Sequence, residues 1–164
     1  KSEFDDAVTD AFRYDRKILI EEFGGSREIE CSVLGNEEPI ASVLGEIIPQ
    51  DDFYSYEAKY LDETGAILKI PADLSDEEVK VAQALAIRVY RVLCCEGMAR
   101  VDLFMTDDGE FLVNEINTIP GFTRISMYPK LWEASGISYA ALIDRLIQLA
   151  IERFEKEKKL ETSR

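Results

Sequence analysis

The chain is 164 residues long, 46% apolar, and carries a formal net charge of -14 with no histidine. That apolar content is enough for a proper core and argues for one compact folded unit, while the acidity argues against a nucleic-acid surface, which needs clustered Lys and Arg. Without histidine, serine or cysteine triads and histidine-bound zinc are excluded.

Three cysteines, Cys31, Cys94 and Cys95, form an odd set without metal-ligand spacing. This is the pattern of reduced packing thiols in a cytosolic protein. No apolar run reaches membrane-spanning length and no signal-peptide pattern opens the chain, so a cytoplasmic protein with no membrane partner is expected. Lys1 already lies within a helical pattern, which points to a fragment of a longer chain.

Phe4, Ala7, Val8, Ala11 and Phe12 recur at helical spacing and predict a short amphipathic helix that packs by that stripe. Lys17 to Ile20 reads as a buried strand, ending in Glu21, Glu22, Phe23 and the turn Gly24-Gly25-Ser26. From Glu28 to Leu34, Ile29, Cys31 and Val33 alternate with Glu28, Glu30 and Ser32, which predicts a strand closed by Gly35-Asn36. Ile40 to Ile48 follows as the next strand of an antiparallel meander. Phe53 to Tyr60, FYSYEAKY, combines four aromatic rings with Lys59 and no clean periodicity, the composition of an ordered binding loop.

Leu68 to Pro71 reads as a short strand. Ser75-Asp76-Glu77-Glu78 has the residues of a capping box, opening a helix whose buried stripe is Ala82, Leu85, Ala86, Val89 and Leu93 and which ends near Gly97. Ser126 to Trp132 begins a short helix. Ser138 caps a long last one, with Tyr139, Leu142, Ile143, Leu146, Ala150 and Phe154 facing inward and a charged tail expected to fray.

Between these helices lies the stretch with the most chemistry, ARVDLFMTDDGEFLVNEINTIPG, residues 99–121. Asp108-Gly109 favours a tight hairpin turn. With those two as the turn residues, Asp107 lies opposite Glu110, Asp102 opposite Glu115 and Arg100 opposite Asn117, all on one face; Val101, Leu103, Leu112, Asn114 and Ile116 take the other. Two facing carboxylates repel. Either this is a solvated acidic sheet face, or a hard divalent cation sits between Asp102, Glu115 and the amide oxygen of Asn117. The sequel Thr118-Ile119-Pro120-Gly121-Phe122-Thr123 favours the cation, because its bend exposes backbone N–H groups where a phosphate or oxyanion would sit.

With these residues in view, the chain resembles the C-terminal half of the ATP-grasp fold, and within it the D-alanine–D-alanine ligase family. The likeness spans essentially the whole chain and is most specific in ARVDLFMTDDGEFLVNEINTIPGFTRISMYPKLW, supported by IEEFGGSREIECSVLG, YSYEAKY and IPADLSDEE. It implies an α+β fold, mainly an antiparallel sheet with flanking helices. Residues 1–164 would form the C-terminal catalytic portion, without the N-terminal substrate domain and most of the central ATP-binding domain.

The same resemblance implies a site. Asp102, Glu115 and Asn117 would hold two magnesium ions, with manganese as a substitute, that bridge the phosphates of ATP. Arg100 would steady the transferring phosphoryl group; its simpler role is a salt bridge to Asp102 or Glu115. Glu21 and the backbone of Glu22 and Phe23 would form the adenine hinge, although Glu22 stands where relatives often carry lysine. Glu28 would take the ribose hydroxyls, and Lys59 and Tyr60 would belong to a phosphate-contacting loop. Gly121 would donate its N–H to the tetrahedral intermediate, and Ser126 with the backbone near Met127 would receive the carboxylate of the second D-alanine. The Lys59-Tyr60 pair resembles the peptide-forming ligases, with a D-serine-using relative, another carboxylate–amine ligase and a non-catalytic acidic binding module as alternatives. The full-length protein is expected to be a homodimer acting on D-alanine and ATP, and the isolated chain inactive.

Overall fold

A computed structural model describes residues 2–20, 27–49 and 66–161. Five antiparallel strands form one sheet: β1 (Arg27–Gly35), β2 (Ile40–Pro49), β3 (Ala66–Lys69), β4 (Gly97–Met105) and β5 (Phe111–Asn117), in the order β3-β2-β1-β4-β5. The described helices are α1 (Ser2–Ala11), α2 (Asp76–Val92), α3 (Met127–Ala134) and α4 (Tyr139–Glu157). The fold is α+β, as expected.

Alternation divides the sheet into two chemically different faces. Ile29, Cys31 and Val33 of β1 and Ala99, Val101 and Leu103 of β4 are fully buried against Ala82, Ala86 and Tyr90 of α2. Burial pushes the Cys31 thiol up to about 12, so it is an inert packing group. On the other face, α3 and α4 cover one end with Tyr128, Trp132, Leu142 and Leu149 around Leu34. The approach of α3 depends on Gly45, where an added Cβ would lie 2.9 Å from Met127 Sδ and 3.0 Å from Leu131 Cδ2. The Ser135 hydroxyl accepts from the Val43 N–H at 2.8 Å, and the Tyr128 hydroxyl donates to the Val33 carbonyl at 3.1 Å.

The Ser75 capping box forms as the sequence predicts. The Ser75 hydroxyl accepts from the Glu78 N–H at 3.3 Å, and Glu78 Oε2 accepts from the Ser75 N–H at 2.7 Å. At its other end α2 stops at Val92, five residues short of Gly97, because Cys94 takes a left-handed conformation with φ 52°. The Cys95 N–H then closes back on the Tyr90 carbonyl at 3.0 Å. Leu93 and Cys94 are consequently exposed, which corrects the expectation that both are packing residues. Tyr90, which the predicted stripe omitted, is fully buried and donates to the Gly35 carbonyl at 2.7 Å.

Four further expectations are corrected. Helix α1 forms, but Phe4 and Phe12 are exposed and it does not pack by that stripe. Residues 17–20 are not a strand; a strand needs a ladder partner, neither sheet edge supplies one, and Leu19 and Ile20 are exposed. Helix α4 buries Leu142 and Leu149 with Leu146 beside them, whereas Ile143 and Phe154 face outward. The third strand ends at Lys69 rather than Pro71. The aromatic segment 53–60 lies outside the described residues. Among those that are described, no single helix is long and apolar enough to cross a membrane.

Candidate active site

Because Ala99, Val101 and Leu103 point into the α2 core, Arg100, Asp102 and Phe104 necessarily point the other way. Across the strand pairs, Glu30 of β1 and Glu115 of β5 flank Asp102, while Ser32 and Asn117 flank Arg100. Glu28 joins the same face opposite Phe104. Charged groups from three neighbouring strands are thus gathered on one side of the sheet.

The hairpin reaches this arrangement by a route that the sequence does not predict. The turn holds three residues, Asp107, Asp108 and Gly109, with the Thr106 N–H donating to the Glu110 carbonyl at 2.9 Å and Gly109 at φ 79°. That corrects the expected pairing of Asp107 with Glu110 and shifts the register by one: Phe104 faces Leu112 and Leu103 faces Val113. A bulge between Asp102 and Leu103 absorbs Asn114 and shifts it back, so Asp102 faces Glu115 and Arg100 faces Asn117. Leu112 therefore lies on the charged face, 53% exposed, and not on the apolar face as expected; Phe111 packs against the core instead.

The Arg100 guanidinium forks onto Asp102, with Nε donating to Oδ1 and Nη2 to Oδ2, both at 2.7 Å. Nε also lies 3.2 Å from Glu30 Oε2. Asn117 Nδ2 donates to Asp102 Oδ2 at 3.1 Å and to Glu115 Oε1 at 2.9 Å. Burial raises the Asp102 carboxyl, against the pull of the Arg100 hydrogen bond and charge, and the negative Glu115 raises it further. Burial alone would lower Arg100, but its bond to Asp102 and the charges of Glu30, Asp102 and Glu115 hold it above its ordinary range.

The donor set suits a hard divalent cation. A single amide nitrogen bridges the two carboxylates, standing where positive charge is wanted; turned over, the same amide presents its oxygen to that spot. Among the described residues no three Asp, Glu or Cys side chains form a metal cage; the oxygen donors gathered here are two carboxylates and one amide.

Beyond β5 the chain turns through Gly121 toward α3. Phe122 anchors this bend against Tyr128 and Tyr139, with ring centroids 5.8 and 5.5 Å away, and the Tyr139 hydroxyl donates to the Phe122 carbonyl at 3.0 Å. Ser126 occupies the N-cap position of α3 but makes no cap bond; its hydroxyl accepts from the Thr123 N–H at 3.0 Å. An added Cβ at Gly121 would meet that hydroxyl at 3.0 Å. Gly121 and Ser126 are therefore immediate neighbours, and Met127, the first residue of α3, is buried against the sheet at Gly45.

The family model described as D-ala D-ala ligase C-terminus matches residues 1–148 of this chain. The chain belongs to that family. It is 59% identical over 164 residues to the D-alanine–D-alanine ligase of Oceanobacillus iheyensis, covering 100% of this chain and 45% of that protein. Among solved structures, the D-alanine–D-alanine ligase of Coxiella burnetii superimposes with a TM-score of 0.81 at 47% identity, over 96% of this chain and 41% of that one. The Bacillus anthracis D-alanine–D-alanine ligase complexed with ATP gives a TM-score of 0.76 at 27% identity, over 96% and 49%. The chain spans under half the length of these ligases, and its sheet and helices correspond to their ATP-grasp C-terminal subdomain.

Of the site residues that the sequence suggests, Arg100, Asp102, Glu115 and Asn117 form one hydrogen-bonded cluster, with Glu28 on the same face. Gly121, Ser126 and Met127 follow at the bend. Glu21, Glu22, Phe23, Lys59 and Tyr60 lie outside the described residues. Sequence reasoning missed Glu30, a 2% exposed acid at the centre of the cluster. The alternation that puts Ser32 and Glu28 on its face was a sufficient signal, since it places Glu30 there too.

Proposed function

We propose that this chain is the C-terminal catalytic part of a longer ATP-dependent ligase that joins two D-alanines through a D-alanyl phosphate, for peptidoglycan precursor synthesis. Convergence of Asp102, Glu115 and Asn117 beside the Arg100 fork, in a chain of this family, carries the reading. Several ligases similar to it are named for the same reaction, and one of these was solved with ATP.

Asp102, Glu115 and Asn117 would hold magnesium, or manganese in its place, which when bound offsets the repulsion between triphosphate and substrate carboxylate. Arg100 supplies a fixed positive charge beside the phosphoryl group in flight. The first D-alanine carboxylate takes the terminal phosphoryl group and ADP is released. The amine of the second D-alanine then attacks the carbonyl carbon of the acyl phosphate, the C–O bond to the phosphate breaks, and the departing phosphate takes the proton that the nitrogen sheds. The Gly121 N–H faces the oxygen that becomes negative, and Ser126 receives the carboxylate of the attacking D-alanine. Glu21, Glu22, Phe23 and Glu28 would bind adenosine, and Lys59 and Tyr60 the phosphates. The reaction needs positioning and charge more than a protein nucleophile, so a chain without histidine is suited to it. A cytoplasmic homodimer is the expected setting.

The test is D-alanine-dependent ADP release. The longer protein should turn over and the 164-residue chain should not; turnover by the isolated chain, or none by the longer protein, overturns the proposal.

A further inference from the structure

Glu30 is buried on the strand next to Asp102, on the face that strand alternation gives it. Arg100 Nε donates its one hydrogen to Asp102 Oδ1 at 2.7 Å and lies 3.2 Å from Glu30 Oε2, an ion pair made without a hydrogen bond. Nη2 is held by Asp102, and among the described residues Nη1 donates to none. Asp102 is thus asked for two things, since the oxygens that fork Arg100 are those a cation would take. Asp102 Oδ2 already accepts from both Arg100 Nη2 and Asn117 Nδ2, which fills its lone pairs. A second carboxylate on the guanidinium relieves that conflict.

We infer that Glu30 is a positioning residue: its buried charge, paired with the guanidinium at 3.2 Å, keeps Arg100 in place and is the carboxylate to which Nε can turn when Asp102 gives its oxygens to a divalent cation. Its location supports this. Glu30 stands directly between Asp102 on β4 and Gly45 on β2, and α3 closes down on Gly45 through Met127 and Leu131. A carboxylate sealed in this way is fixed in direction and poorly solvated, which strengthens its hold on the cation it faces. Without it, Arg100 has Asp102 as its partner and competes with the metal for the same oxygens.

The inference rests on the metal reading above, and the test separates the two. Mn2+ binding to the longer ligase with a non-hydrolysable ATP analogue is measured by electron paramagnetic resonance for wild type, Glu30→Gln, Arg100→Gln and the double variant, with Glu30→Asp as a milder change should Glu30→Gln not fold. Loss of a supporting partner of this kind weakens metal binding by about 10- to 100-fold, so Glu30→Gln should fall in that range and Glu30→Asp should fall less. In the Arg100→Gln background the effect of Glu30→Gln should vanish, because Glu30 acts through the guanidinium. An undiminished effect there would show through-space electrostatics and overturn the inference, as would wild-type affinity in Glu30→Gln or in a folded Glu30→Asp. Absence of Mn2+ binding by the wild-type protein would overturn the metal reading itself.

Discussion

Asp102 and Glu115 face each other across β4 and β5, bridged by the Asn117 amide nitrogen at 3.1 and 2.9 Å. Asp102 is buried and also forked by Arg100, whereas Glu115 opens to solvent. One carboxylate is sealed and doubly held and the other faces solvent, the side from which a cation would enter.

Arg100 neutralises buried charge when no cation is bound. Arg100→Ala should therefore destabilise the 164-residue chain by about 3–5 kcal/mol, the cost of leaving a buried charge uncompensated. Added Mg2+ should recover part of that loss and should stabilise the variant more than wild type. Thermal melts with and without MgCl2 check this; an equal Mg2+ effect on both proteins contradicts it. In the longer ligase the same change should lower kcat by about 10²–10³.

Gly45 sets how closely α3 approaches the sheet. Gly45→Val should cost about 1–3 kcal/mol by overpacking against Met127 and Leu131. Because Ser126 leads directly into α3, the variant should raise KM for D-alanine in the longer ligase while leaving KM for ATP nearly unchanged. Steady-state kinetics with each substrate varied in turn decides it.

Two left-handed positions should respond in opposite directions. A Cβ at Gly109, φ 79°, meets nothing within 4 Å, so Gly109→Val should lose about 1–2 kcal/mol through backbone strain alone, and Gly109→Asn less. At Cys94, φ 52°, the strain is already present, and Cys94→Gly should gain up to about 1 kcal/mol. Urea unfolding with unchanged m-values is the measurement.

Glu46 is forked by Arg27, with Nε donating to Oε1 at 2.6 Å and Nη2 to Oε2 at 2.7 Å. These bonds hold its carboxyl below the usual range, against the opposing effect of burial. A depressed carboxylate stabilises the fold above its unfolded value of about 4.3 and loses that contribution as pH falls through the lower folded value. The deficit of Glu46→Gln in urea should therefore be largest at pH 7 and shrink by pH 3. A deficit that grows in acid contradicts the assignment.

Much of this was legible in the sequence because it rests on local rules. Alternation in residues 28–34 and 99–105 decides which side chains are sealed and which are chemical, and the Ser75–Glu78 spacing decides where α2 begins. The facing of Asp102 and Glu115 was legible too, but for an incomplete reason: a three-residue turn and the Asn114 bulge each shift the register, and the shifts cancel. Bulges leave little mark in a polar-apolar pattern, so Leu112 was assigned to the wrong face. Residues 17–20 and the outer side of α4 failed differently, since apolar composition predicts burial but does not supply the surface that buries it.

The most direct measurement is the anomalous scattering of Mn2+ in crystals of the longer ligase grown with a non-hydrolysable ATP analogue. A peak within coordination distance of Asp102, Glu115 and Asn117, with Arg100 still against Glu30, is the predicted result. Manganese bound to the nucleotide elsewhere, with those three side chains still hydrogen-bonded to one another as they are here, would contradict it.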